Sequence, residues 1–186
     1  MRNVKLKKMN SKTIKNSKIN GKVYKLAPRS VAEKISEYYE EHDNFQFLQT
    51  IINFMIETIE YIDDKYFILP KEKINHYIYQ AKKIWENDGN AEKLNQLNKL
   101  FTKDLTANKP FKEILNNKEE RSAMNCVLGI LSNGHDDPTN QFVYDFIELH
   151  IADLEILNIE ENIINNLLEK YFSEAITDNK AVEKKR

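Results

Sequence analysis

The sequence predicts an all-α protein, a single-domain bundle of seven or eight helices, and three observations carry that prediction. From residue 30 onward apolar residues recur at spacings of three and four, which places them on one face of a helix. The segments begin and end on residues that start and stop helices. Only four Gly and four Pro occur in 186 residues, too little turn chemistry for an all-β fold. A chain of this length can bury a core without staples, and its one cysteine, Cys126, excludes an internal disulfide and a thiolate-rich zinc site. The chain divides into a basic N-terminal segment (1–29), a helical domain (30–176) and a polar C-terminal tail (177–186).

In the first segment, SKINGKVYKL sets Asn20-Gly21 between Ile19 and Val23-Tyr24, the chemistry of a tight hairpin turn. Two strands alone are marginal in water, so the segment is either a small β-hairpin or disordered. Ser30 and Glu33 have capping-box spacing and predict a helix from about Val31 to Glu41. Asp43 or Asn44 can cap the next, whose stripe is Phe47, Leu48, Ile51, Ile52, Met55, Ile59 and Ile62. Pro70 suits the first turn of a third helix, with Ile74, Tyr77, Ile78, Ala81, Ile84 and Trp85 on one face and Gly89 as its C-terminal stop.

The fourth carries Leu94, Leu97, Leu100, Phe101 and Leu105, and Pro110 opens a short turn over Phe111 to Leu115. Asn117 caps KEERSAMNCVLGILSN, with Glu119 and Glu120 at the favourable end of the dipole and Gly134 after it. Asp137 and Pro138 open a helix with Phe142, Val143, Phe146, Ile147, Leu149 and Leu154 pointing inward. Asn158 followed by Glu161 opens the last, with Ile163, Ile164, Leu167, Leu168, Tyr171 and Phe172.

Charge is divided unevenly along this frame. The first twenty-nine residues hold ten Lys or Arg and no acid, leaving residues 30–186 with 18 basic and 29 acidic groups, a net −11. Lys5, Lys7, Lys8, Lys12, Lys15, Lys18, Lys22 and Lys25 could contact a polyanion. Between Arg121 and Lys170 there is no cation, while Asp136, Asp137, Asp145, Glu148, Asp153, Glu155, Glu160, Glu161 and Glu169 all fall there. On a helix wheel Asp145, Glu148 and Glu155 lie close together. Such a run is either a solvated face or a docking surface for a basic partner, whose approach its field would steer.

Little in the sequence points to chemistry. His42-Asp43 and His135-Asp136 resemble the paired ligands of metal-dependent phosphohydrolases, but both fall at helix boundaries where Asp serves as a cap, and only His76 and His150 remain as further histidines. No Glu-x-x-His pair of a di-iron bundle occurs. Cys126, among Ala123, Val127 and Ile130, reads as core rather than as a nucleophile. Gly-rich phosphate loops and nucleophile elbows are absent, so the expectation is a non-catalytic chain with no metal and no cofactor. The lack of an apolar h-region or an eighteen-residue apolar run predicts a soluble, cytoplasmic protein with no membrane partner.

In layout the chain resembles the all-helical immunity proteins of bacterial polymorphic toxin and contact-dependent inhibition systems. The resemblance lies in a long apolar helix (FLQTIINFMIETIEYI), a helix containing Trp (YQAKKIWEN), a helix rich in small residues (RSAMNCVLGIL) and an acidic C-terminal pair, over residues 45–172. It implies a protein that binds and neutralises a toxin or nuclease domain through its acidic helices, without doing chemistry itself. Two alternatives stand beside it. One is a nucleic-acid-associated protein using the basic N-terminus, or an acidic nucleic-acid mimic that occupies a phage-defence nuclease. The other is a helical hydrolase with a metal at His42, Asp43, His135 and Asp136.

Overall fold

The computed structural model describes residues 17–19, 22–24, 28–41, 45–132 and 141–177. Two short strands, β1 (Ser17–Ile19) and β2 (Lys22–Tyr24), pair antiparallel with Ser17 opposite Tyr24. Asn20 and Gly21, on which the hairpin expectation turned, lie outside the described residues. Eight α-helices follow among the described residues: α1 (Pro28–Glu41), α2 (Phe45–Ile59), α3 (Lys71–Asn87), α4 (Ala91–Asn108), α5 (Phe111–Asn116), α6 (Lys118–Leu131), α7 (Gln141–Ile156) and α8 (Glu161–Thr177). The chain is an all-α bundle, and no described helix is long and apolar enough to cross a membrane.

α2 and α6 form the spine. α2 buries Leu48, Ile51, Ile52, Phe54, Met55, Thr58 and Ile59, an arc wide enough to meet α3, α6, α7 and α8. α6 buries Ser122, Ala123, Met124, Cys126, Val127, Ile130 and Leu131 and touches α2, α3, α4, α5 and α7. The two helices come close at Gly129, where an added Cβ would sit 2.5 Å from Met55 Cε. α3, α4 and α5 pack on one flank of this spine, while α1, α7 and α8 pack together on the other.

The α3–α5 flank is closed by its helix ends. Asn90 and Asn117 accept backbone N–H groups of Lys93 and Glu120, satisfying donors the first turns of α4 and α6 would otherwise leave open. At the end of α3, Gly89 has φ +59 and its N–H bonds Ile84 O at 2.9 Å, the left-handed closure that glycine adopts without strain. Trp85 is buried and donates its indole N–H to Ile130 O at 2.9 Å, and Gln49 donates to Trp85 O. Both carbonyls lie in last turns, where no helical donor remains for them.

Several sequence expectations change. α1 begins at Pro28, so Ser30 lies inside the first turn and does not cap it. Proline at the first helical position needs no N–H partner, which favours the earlier start. Pro70 and Pro110 precede α3 and α5 by one residue, each offering its carbonyl to the first turn. Leu100 is 54% exposed, because it stands roughly 100° around the helix from the line of Leu94, Leu97, Phe101 and Leu105. Leu149 is 63% exposed for the same reason: Ile147, Ile151 and Leu154 define the inward line, and Leu149 sits about 150° from it. Asn158 does not open α8. Its φ of +58 and the Ile159 N–H to Leu154 O bond of 3.0 Å make it the left-handed residue that closes α7.

Candidate functional site

Of the acidic residues singled out in the sequence, the structure brings part together on α7 and the start of α8. The 3.6-residue period sets Glu148, Leu149, Ala152, Glu155 and Ile156 along the arc of α7 away from its buried line, while the side chain of Asp145 lies outside the described ones. Glu148 and Ala152 are half-buried there, Glu155 is exposed, and the exposed Leu149 lies among them. Glu160 and Glu161 are exposed at the start of α8, where Glu160 O receives the N–H groups of Ile163 and Ile164. Their carboxylates sit at the positive end of that helix, which by itself favours acidic residues. Asp136 and Asp137 lie outside the described residues.

Asp153 departs from the expected face. It is half-buried against α6, where burial raises its carboxyl above the usual range while Ser122, Asn125 and the charge of Arg121 draw it back. Ser122 Oγ faces it without a hydrogen bond of standard geometry. Asp153 is thus part of the α6–α7 contact. It also adds to burial in pushing the Cys126 thiol well up, so Cys126 is an inert core residue rather than a nucleophile.

One buried polar pair had no sequence signal. His150, on the inward line of α7, is 3% exposed, packs edge-on to Phe54 and lies 2.7 Å from Thr58 Oγ1 through its Nε2. The single Thr58 hydroxyl proton goes to Met55 O at 2.6 Å, so His150 Nε2 must be the donor to Thr58 and Nδ1 the bare acceptor. Nδ1 has no hydrogen-bond partner, and burial lowers the imidazole to about 3, leaving it neutral. Ninety-two positions separate the partners, which local spacing cannot reveal.

A second feature lies between α1, α2 and α8. Lys170 and Tyr171 both donate to Glu57, tying α8 to α2 and holding that carboxylate below its ordinary value. At the next residue, Phe172, α8 kinks with φ −129 and ψ 27. Beside the kink runs an open groove of about 390 Å³ walled by Tyr38, Phe47, Tyr171 and Phe172, with Thr50 and Glu174 at its polar edge. A smaller cleft of about 160 Å³ over Trp85 is lined by Gln49, Asn53, Lys82 and Glu86.

His42, Asp43, His135 and Asp136, the candidate metal set, lie outside the described residues, and no group of three or more His, Cys, Asp or Glu able to hold a metal occurs among the described ones. Of the basic N-terminal lysines, Lys18 falls in β1 and Lys22 in β2, while Lys5, Lys7, Lys8, Lys12, Lys15 and Lys25 lie outside the described residues. No protein-family model, curated protein or solved structure matches the chain.

Proposed function

We propose that this is a cytoplasmic protein-binding module that uses the outer face of α7 and the start of α8 to cover a basic partner, as an immunity or inhibitor protein covers a toxin or nuclease domain, and that it does so without chemistry of its own. The observation that carries this reading is Leu149, 63% exposed on the same arc as Glu148 and Glu155. An apolar anchor set among charged groups is the composition of an interface centre with its rim. The cation-free run between Arg121 and Lys170 supplies the field that would speed a basic partner's approach. A nucleic-acid mimic would use the same acids, but a leucine among them suits a protein surface better than an imitation of phosphates.

The test is affinity capture from the source cell with the intact chain and with a Glu148→Lys/Glu155→Lys variant, followed by titration calorimetry on whatever is retained. A single basic protein bound one to one, weakened by salt and lost in the variant, is expected. Capture that ignores the charge reversal, or recovery of nucleic acid in place of protein, would overturn the reading and shift attention to the basic N-terminus.

A further inference from the structure

We infer that the chain pairs with a second copy of itself, the basic and apolar outer edge of α5 and the start of α6 in one copy covering the acidic arc of α7 in the other. The pairing uses the same arc of α7 as the function proposed above but needs no foreign partner, so each stands or falls alone.

The basic half is built where α5 meets α6. Phe111 and Leu115, 43% and 40% exposed, are four residues apart and so share one edge of α5, whose buried residue is Ile114. Lys112 and Lys118 are exposed beside them, and Arg121 Nη1 donates to Leu115 O at 3.4 Å, which holds its guanidinium at the end of α5. The nearby acids do not cancel these cations on that edge. Glu120 is taken by Lys109. Glu113 lies two positions from both Phe111 and Leu115, and Glu119 two positions from Arg121, which turns each acid about 160° away around its helix.

The acidic half adjoins it. The charge of Arg121 acts on Asp153 of α7, and Ser122 and Asn125 face the same carboxylate, so the first turns of α6 run alongside the second half of α7. Leu149, 63% exposed, stands one turn before Asp153 with Glu148 next to it. No Lys or Arg occurs on α7 or anywhere from Gln141 through Glu169. Each copy therefore presents a positive and a negative half side by side, and each half has apolar side chains exposed within it.

A surface of that kind is its own complement. A two-fold rotation lays the positive half of one copy on the negative half of the other, and does so twice, so the contact closes at two chains. Opposed fields align the copies, and burial of Phe111, Leu115 and Leu149 between them supplies the apolar contribution. The pair keeps the arc of α7 covered, and a basic partner reaches it only by displacing the second copy.

Sedimentation equilibrium of the purified full chain, with nothing else present, tests the inference. From micromolar to millimolar concentration the molar mass is expected to rise from 22.0 kDa to twice that value and no further, and to fall back as salt is added. Lys112→Glu/Lys118→Glu and Glu148→Lys/Glu155→Lys each set like charges against like, and each is expected to stay at 22.0 kDa. Mixed in equal amounts, the two variants oppose unlike charges at both contacts again, so the doubled mass is expected to return, a result that only folded chains can give. A parent chain that stays monomeric throughout, a mass that climbs past two chains, association that survives either reversal, or variants that do not recombine would each overturn the pairing.

Discussion

The two flanks of the α2–α6 spine are built differently. Across residues 71–121, which make α3, α4, α5 and the start of α6, eleven basic and eight acidic residues are mixed, and several pair between helices. Lys73 meets Asp104 at 2.7 Å, Tyr77 donates to the same carboxylate, and Lys109 reaches Glu120. Helix ends there close on their own asparagines and glycine. The α7–α8 side has no cation between Arg121 and Lys170, a buried histidine with one bare nitrogen and a kinked final helix. Local rules agree with one another on the first flank and are broken on the second, which is where departures tied to binding are expected.

Four experiments test that contrast, the most destabilising change first. Trp85→Ala removes the largest side chain of the α3 side and leaves Ile130 O without its donor, so urea unfolding should show a loss of about 3–5 kcal/mol. A loss below 1 kcal/mol would mean the indole is not part of a tightly packed core.

On the other flank, His150 should make stability pH-dependent. Its folded-state value of about 3 lies below the ordinary histidine value, so the unfolded chain binds the extra proton. Stability is therefore full above about pH 6.5 and declines as pH falls towards 3, with roughly 2 kcal/mol gone by pH 5. Below that, the raised carboxyl of Asp153 acts in the opposite sense, since its contribution is present in acid and lost as pH rises. Equilibrium unfolding of the parent and His150→Gln between pH 7 and 5 checks this. An unchanged slope in the variant would remove His150 as its source.

Gly89→Ala would force an L residue to φ +59 and bring Cβ to 2.7 Å from the Phe45 ring, a cost of about 1–2 kcal/mol readable as a lower unfolding midpoint. Asn158→Ala, at an exposed residue also left-handed at φ +58, should cost less, because asparagine is itself an L residue and already bears a Cβ in that conformation. Smallest in stability is Glu148→Lys/Glu155→Lys, within about 0.5 kcal/mol by thermal unfolding. If the acidic arc is an interface, that variant loses its partner while folding normally. A matched Glu72→Lys/Glu92→Lys change on the α3–α4 side should leave capture intact.

What could be read from the residues alone follows the range of the interaction. Asn117 and Gly89 were legible because a cap is settled within four residues of its helix end, and Asn90, which caps α4 in the same way, was not singled out. Asn158 was misread because asparagine serves both as an N-terminal cap and as a left-handed stop, and only the backbone around it distinguishes the two. The acidic run was visible as composition. Which of its members face outward was not: Asp153 turns to α6 while Leu149, taken for core, turns to solvent.

By its own periodicity and punctuation the sequence determined that the chain forms helices, where most of them start, and how charge is distributed along it. Those properties depend on neighbours within a turn or two, where side-chain spacing and backbone hydrogen bonding act directly. Packing between helices settled which side of α7 is buried, that His150 meets Thr58 across ninety-two positions, and that Tyr38, Phe47 and Phe172 wall one groove. α7 has apolar residues on more than one side, so its orientation is settled by whichever face the α2–α6 spine can bury best, and that choice is made between helices rather than within one.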